Sequence, residues 1–243
     1  MRIVETSLPG LVAVEPDVHG DERGFFVETY RREWHEQAGI PAQAEFVQDN
    51  QSRSTRGVLR GMHFQLGEGV GKLVRCGRGR ILDVAVDVRP GSDTYGRWEA
   101  VELDDASMRE LYVPVGFAHG FCVLSDVADV IYKQTGYYDP QLERGIAYDD
   151  PEIGIQWPLP AAELTVSARD AAADLEVHAP HHPAPRARVV VLHEQLVLRD
   201  PGLGVPAAPV GLDEEAALVT VDVGLEGDHA GESLGQHAHG GAG

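Results

Sequence analysis

The chain has very few cysteines, and this shortage excludes one way of stabilising a fold. It contains only Cys76 and Cys122 among its 243 residues. Each cysteine stands inside an apolar, strand-like run, which argues against a small scaffold held together by disulfide bonds. We therefore expect both cysteines to be reduced and buried.

Basic residues are also scarce. Lysine and arginine number 20 against 39 aspartates and glutamates, which gives a formal net charge of −19. Nucleic acids and anionic membranes are bound by basic surfaces, so neither is expected as a partner. An anionic small molecule would have to bind at a local cluster of basic side chains.

Long apolar runs are absent as well. The first ten residues, MRIVETSLPG, lack the apolar stretch of a signal peptide. No window approaches the roughly 18 apolar residues of a membrane span. These absences predict a soluble, cytoplasmic protein.

Helical patterns are few, and short strand patterns replace them. A polar turn at 17–23 separates two predicted strands at 11–14 and 24–29, and one short helix is predicted at 31–38. Further strands are predicted at 46–50, 57–65, 72–76, 81–88, 98–103, 110–113, 120–124 and 130–135. Many short strands without intervening long helices are typical of an antiparallel sandwich or barrel, so the expected class is all-β with a few short helices.

The composition changes near the C-terminus and suggests a domain boundary. With 43% hydrophobic residues, the chain can bury a proper core, and we assign residues 1–182 to one domain. Residues 183–243 hold three arginines, no lysine, nine acidic residues and no aromatic residue. This composition predicts an acidic, disordered tail, although 189–198 could form a strand.

The segment 56–87 concentrates a histidine and a lysine among glycines and β-branched residues. His63 lies on the apolar face of its predicted strand, where it is either a core histidine satisfied by one hydrogen bond or part of a site. Lys72 opens the next strand and favours a site. The glycine-rich loop between these two strands, at 67–71, is short enough to predict that they are neighbours.

A second pattern, Pro114-x-Gly116-x-x-His119, predicts a tight turn that places His119 at the head of a strand in a barrel interior. This arrangement resembles the second motif of cupins, which are antiparallel jelly-roll barrels. The first cupin motif is not matched at His63, because Lys72 stands where that motif has a carboxylate. An ammonium group repels a cation, so we expect neither a metal nor another cofactor.

The same residue types suit a different chemistry. His63, Lys72 and His119 together could stabilise a developing oxyanion. Tyr132 shares a strand face with Val130 and either packs in the core or adds a general acid.

Five blocks in order, spanning roughly residues 1–178, resemble the dTDP-4-dehydrorhamnose 3,5-epimerase family. The blocks are Asp21-x-Arg23-Gly24-x-Phe26-x-Glu28, Gln48-x-Asn50-x-Ser52, the run Gly57-Val58-Leu59-Arg60-Gly61-Met62-His63-Phe64-Gln65, Pro114-x-Gly116-x-Ala118-His119-Gly120-Phe121, and Ser167-x-Arg169-Asp170.

The resemblance implies a cupin-fold enzyme that moves protons next to the C4 ketone of a dTDP-4-keto-6-deoxy sugar. It makes His63 the general base and Asp170 the carboxylate that orients its imidazole. It places Lys72 against the C4 oxygen, where its charge would stabilise an enolate, and makes Tyr132 the acid on the opposite face.

The resemblance also implies residues that bind the nucleotide sugar, and a homodimer in which two of them reach the partner's site. The two reaching residues are Arg23 and Glu28. The other binding residues are Gln48, Asn50, Arg60, His119, Glu143 and Arg169. Arginines near the diphosphate would explain how an acidic protein holds an anion.

Two structural points stay open in the sequence. Arg60 and His63 fall on opposite faces of a regular strand, so either Gly61 hosts a bulge or Arg60 acts from the strand end. Asp83 and Asp87 share a face, and one of them could touch the site or both could be solvated or pair with turns.

The activity also has alternatives: epimerisation at C3 alone or at C5 alone, a ligand-binding cupin without turnover, or a metal-dependent dioxygenase.

Overall fold

The computed structural model describes residues 1–173 and 188–190 of the chain. Its helices are α1 (Arg32–Gln37), α2 (Ala168–Ala171) and one 3-10 turn (Ala161–Glu163). Its strands are β1 (Arg2–Val4), β2 (Val12–Glu15), β3 (Val18–Asp21), β4 (Gly24–Val27), β5 (Gln48–Thr55), β6 (Val58–Gln65), β7 (Lys72–Arg78), β8 (Arg80–Asp87), β9 (Trp98–Asp104), β10 (Glu110–Val113), β11 (Phe117–Val123), β12 (Val127–Gln134), β13 (Glu143–Gly145), β14 (Thr165–Val166) and β15 (Arg188–Val190).

The strands form two main sheets and one separate hairpin. The first sheet has the order β1-β2-β10-β7-β12-β5, and the second has the order β13-β6-β11-β8-β9-β15 with β14 beside β6. The pairings are antiparallel except for those of β14 and β15. The expected all-β, antiparallel class with a few short helices is confirmed.

The main hydrophobic core lies between the two sheets. Val74 and Leu111 from the first sheet pack in one buried cluster with Ile81, Ala85 and Phe121 from the second. Alternate residues of β8 face away from this core and pack in a second buried cluster, under the segment that follows β13. Because β8 is covered on both faces, almost all of its side chains are buried. A nearly continuous apolar run is typical of a strand that is buried on both faces.

The prediction that β6 and β7 are neighbours is wrong. Strand β6 pairs with β11, β13 and β14, whereas β7 pairs with β10 and β12 in the other sheet. The loop at 67–71 therefore crosses from one sheet to the other. As a result, His63 and Lys72 approach their common cavity from opposite walls.

The polar turn predicted at 17–23 is also mostly a strand. Strand β3 pairs with β4 from Val18 opposite Val27 to Asp21 opposite Gly24. The turn shrinks to the two residues between them. The alternation signal was weak here because every residue of β3 is exposed, so neither face is selected by burial.

Of the two alternatives left open for Arg60 and His63, the structure shows the bulge at Gly61. His119 pairs with His63 and Phe121 pairs with Arg60, so β6 holds one residue more than β11 across this interval. Gly61 has φ of 126°, and a Cβ atom there would lie 2.5 Å from Gly120 Cα. The extra residue lets Arg60 and His63 line the same cavity.

The C-terminal segment contributes one described strand. Strand β15 pairs in parallel with the edge strand β9 and begins at the run predicted to form a strand at 189–198. The boundary at 182 and the predicted disorder of the tail otherwise lie outside the described residues. Within the described part of the chain, no helix is long and apolar enough to cross a membrane.

Candidate active site

A cavity of about 450 Å³ opens between the two sheets. It is lined by seven of the residues that the sequence singled out, namely Arg60, His63, Lys72, His119, Tyr132, Arg169 and Asp170. A second cavity of about 340 Å³ shares His63, Arg169 and Asp170 with it and is bounded by Glu143. The two cavities thus meet at His63.

His63 is held by a carboxylate at one ring nitrogen. Its Nε2 lies 2.8 Å from Asp170 Oδ1, and its Nδ1 lies 3.7 Å from Glu143 Oε1. The first distance is a hydrogen bond, whereas the second is too long for one. Asp170 therefore fixes the orientation of the ring and leaves Nδ1 as the nitrogen that can exchange a proton.

Asp170 is positioned by the segment that follows the 3-10 turn. Strand β14 pairs with β6 in parallel, which brings the start of α2 under the bulge. Ser167 caps α2 by accepting a hydrogen bond from Asp170 N at 3.0 Å. Asp170 also accepts from Gly61 N at 3.4 Å. This cap orients the buried Asp170 carboxylate toward His63.

Lys72 and His119 form a second buried group with Asp83. Lys72 Nζ lies 3.5 Å from His119 Nδ1, and His119 Nε2 lies 2.9 Å from Asp83 Oδ1. Burial lowers the pKa of Lys72 to about 8, while the carboxylates of Asp83 and Glu143 oppose the shift. Burial also lowers the pKa of His119, with Lys72 adding to the effect and Asp83 opposing it. Near neutral pH, the lysine is therefore the cation and the histidine is neutral.

Asp83 is a site residue that the sequence did not resolve. It is 0% exposed and lies on the core-facing side of β8. Asp87 was the other candidate on the same strand face. It instead accepts hydrogen bonds from Arg89, Ser92 and Thr94 in the following turn. In the sequence, Asp83 was marked only as an acidic residue inside an apolar strand. Asp87 has the same feature, so the sequence could not show which of the two lies at the site.

Tyr132 faces the cavity from β12 in the first sheet. Burial raises the pKa of its phenol, and the nearby Glu143 carboxylate raises it further. A phenol with a raised pKa keeps its proton at neutral pH, which is the state that a general acid requires.

Glu143 links the second cavity to the nearby aromatic and basic groups. It accepts a hydrogen bond from Tyr138 Oη at 2.5 Å and forms a short ion pair with Arg169. Burial alone would raise the pKa of Glu143, but these two hydrogen bonds outweigh it and lower the pKa. The same contact raises the pKa of Arg169.

The remaining binding candidates of this chain lie on or against β5. Gln48 donates to Asn50 Oδ1 at 2.9 Å, and Asn50 donates to Gln134 Oε1 at 3.2 Å. Arg60 donates to Ser54 Oγ at 3.1 Å. These contacts place two amide groups and a guanidinium along the inner face of one edge strand.

Arg23 and Glu28 lie away from this cavity. Arg23 is paired with Asp21 in the exposed β3–β4 hairpin, and Glu28 is paired with Arg31 at 2.6 Å. Neither residue lines either of the two cavities.

Across residues 1–173, no three His, Cys, Asp or Glu side chains come together as metal ligands would. The expectation that the enzyme uses no metal stays a prediction. Both cysteines in this part of the chain are free and buried, as expected.

Together, the two-sheet fold and its cavity define an antiparallel β enzyme whose cavity brings together a carboxylate-bound histidine, a lysine and a tyrosine. The chain belongs to the dTDP-4-dehydrorhamnose 3,5-epimerase family, whose model matches residues 5–176.

Two relatives support this assignment at high identity. A dTDP-4-dehydrorhamnose 3,5-epimerase from Methanothermobacter thermautotrophicus is 51% identical over 170 residues, covering 70% of this chain and 91% of the relative. A crystal structure from Legionella pneumophila, of dTDP-6-deoxy-D-glucose-3,5-epimerase in complex with dTDP-4-keto-L-rhamnose, has a TM-score of 0.67 and 47% identity, covering 71% of this chain and 90% of that one.

A third relative is named for epimerisation at C3 alone. The dTDP-4-dehydrorhamnose 3-epimerase of Streptomyces niveus is 41% identical over 172 residues, covering 70% of this chain and 83% of the relative.

Proposed function

We propose that this chain epimerises both C3 and C5 of dTDP-4-dehydro-6-deoxyglucose and so produces dTDP-4-dehydrorhamnose. Both carbons flank the C4 ketone, so each can lose its proton to give an enolate. The observation that carries the proposal is the convergence of four side chains on a single cavity: His63 from the second sheet, Asp170 from α2, and Lys72 and Tyr132 from the first sheet.

Each of these residues has a distinct part in the proposed reaction. His63 removes the proton, and Asp170 stabilises the imidazolium that forms. Lys72 stabilises the negative charge that develops on the C4 oxygen. Tyr132 returns a proton to the opposite face of the ring, which inverts the carbon.

The binding of the nucleotide diphosphate is assigned to the polar rim of the cavity. Arg60 and Arg169 supply positive charge, and Gln48 and Asn50 supply amide groups along β5. Glu143 and His119 complete the set by holding Arg169 and Lys72 in place. This local cluster offsets the acidic character of the whole chain.

The partner proposed for this chain is a second copy of itself. The β3–β4 hairpin exposes 61% of Phe25 and 69% of Phe26 and carries Arg23, while Glu28 follows directly after it. Exposed aromatic residues on a two-stranded hairpin favour packing against another surface. We infer that the hairpin reaches the partner's cavity and brings Arg23 and Glu28 to it. A cytoplasmic location belongs to the same proposal, since free buried thiols fit a reducing compartment.

The second candidate is epimerisation at C3 alone, favoured by the 3-epimerase from Streptomyces niveus. The two candidates differ in whether C5 is inverted. Incubating the chain with the 4-keto sugar nucleotide in deuterated water separates them, because each inverted carbon acquires deuterium. Deuterium and inversion at both carbons are expected, whereas inversion at C3 alone would replace the first proposal with the second.

The roles of base and acid are tested in the same solvent. Tyr132→Phe should still exchange protons through His63 but return them to the original face, giving deuterium with little inversion. His63→Ala should lose exchange and turnover by ~10²–10⁴-fold, as is usual for a missing general base. Exchange that survives in His63→Ala and disappears in Tyr132→Phe would reverse the two roles.

A further inference from the structure

The inner face of β5 carries one side chain without a visible partner. Gln48, Asn50, Ser52 and Ser54 alternate along this face. Gln48, Asn50 and Ser54 each take part in a hydrogen bond with another side chain. Ser52 Oγ is buried and has no hydrogen-bond partner among the described residues.

A buried hydroxyl without a partner is unfavourable. Removing such a group from water without replacing its hydrogen bonds destabilises the folded state, and most buried polar atoms in proteins are therefore paired. Where an unpaired group persists, a functional partner is one explanation to test. Alanine would fill the same site without this cost, so retention of a hydroxyl needs a reason.

The position of Ser52 supplies that reason. Ser52 lines the 450 Å³ cavity together with Tyr132 and Arg60. It stands opposite Val130 on β12, two pairs along from Asn50 and Tyr132 and therefore on the same face of the sheet. On its other side, Ser54 holds Arg60. The hydroxyl therefore lies between the assigned proton donor and an assigned anion-binding residue.

We propose that Ser52 is a further substrate-positioning residue, whose hydroxyl donates a hydrogen bond to an oxygen of the bound sugar nucleotide between Tyr132 and Arg60. The Ser52 side chain has a single torsion, about Cα–Cβ, and it lines the cavity, so a bound ligand needs only one rotamer change to receive the hydrogen bond. A serine hydroxyl can donate to a phosphate or to a sugar oxygen. The inference rests on the proposed function, because it takes a sugar nucleotide as the ligand.

The test is to compare stability and ligand binding in Ser52→Ala. Without ligand, the variant should melt at the wild-type temperature or above it, because an unpaired buried hydroxyl has been removed. Its dissociation constant for unreactive dTDP-glucose, measured by titration calorimetry, should rise by about 3- to 10-fold, the usual effect of one lost hydrogen bond. Ser52→Thr, which keeps the hydroxyl, should restore most of the affinity.

The matched control is Gln51→Ala, because Gln51 is exposed on the opposite face of the same strand. It should change neither the melting temperature nor the affinity. Titration with dTDP alone identifies the contacted group: equal weakening for dTDP and dTDP-glucose assigns the bond to the diphosphate, and weakening for dTDP-glucose only assigns it to the hexose.

A lower melting temperature with unchanged affinity for both ligands would show that Ser52 has a structural role, and would overturn the inference. Unchanged affinity for both ligands with unchanged stability would overturn it as well, because the hydroxyl would then contribute nothing to ligand binding. The binding measurement does not depend on turnover. A wild-type chain that binds dTDP-glucose but epimerises nothing would therefore contradict the proposed function and leave the Ser52 result interpretable.

Discussion

The alkaline limit of activity should depend on the charge of Lys72, and Asp83→Asn should move it. Lys72 must be protonated to stabilise an enolate, and its pKa is about 8 because burial disfavours the charge. Below this pH the ammonium is present, and above it the charge is lost. The rate constant kcat/KM, which reports on the free enzyme, should therefore fall as the pH rises through about 8.

The size of the shift follows from the geometry. Lys72 Nζ is 3.5 Å from one nitrogen of the His119 ring, and Asp83 is 2.9 Å from the other. The ammonium and the carboxylate thus lie within roughly 9 Å, where two unit charges interact by about 2 kcal/mol at an effective dielectric constant of ~20. Removing the Asp83 charge should lower the pKa of Lys72 by about one unit.

The assay is a profile of kcat/KM between about pH 6 and pH 10, measured by deuterium incorporation from solvent. Tyr132 does not compete for the assignment, because burial raises its pKa. The control is Asp49→Asn, which removes an exposed carboxylate that pairs with Lys133 on the outer face of the sheet. It should leave the profile unchanged. An alkaline limb that stays in place or moves to higher pH in Asp83→Asn would refute this account of Lys72.

Three further predictions concern metal, the tail and assembly. Activity should survive prolonged treatment with chelator, because the Lys72 ammonium would repel a divalent cation; activity lost to chelator and restored by a divalent ion would contradict this. Deleting residues 183–243 should leave turnover nearly unchanged but speed amide exchange in β9, whose edge pairs with β15; a large fall in melting temperature would show that the tail contributes more than this short strand. An Arg23→Ala chain mixed with a His63→Ala chain should regain activity, since a heterodimer would combine an intact cavity with an intact hairpin; no gain on mixing would contradict the exchange of hairpins.

The sequence by itself determined the class of fold and most of the strands. Period-two alternation and frequent turn residues are local signals, and they placed β6, β10 and β12 within a few residues of their positions. The phase conflict between Arg60 and His63 was local too, so the sequence identified the bulge at Gly61 as one of two alternatives. The order of the sequence motifs was enough to identify most of the candidate site residues.

Only the tertiary structure decided which residues meet. The short loop at 67–71 suggested that β6 and β7 are neighbours, yet they lie in different sheets, because each finds its partners among strands distant in sequence. Asp83 became the partner of His119 for the same reason: the register between β8 and β11 is set by packing of the whole sheet. Local periodicity states which face a side chain takes, but it holds no information about the strand opposite. The approach of Lys72, His119 and Asp83 to His63 is therefore a property of the assembled sheets.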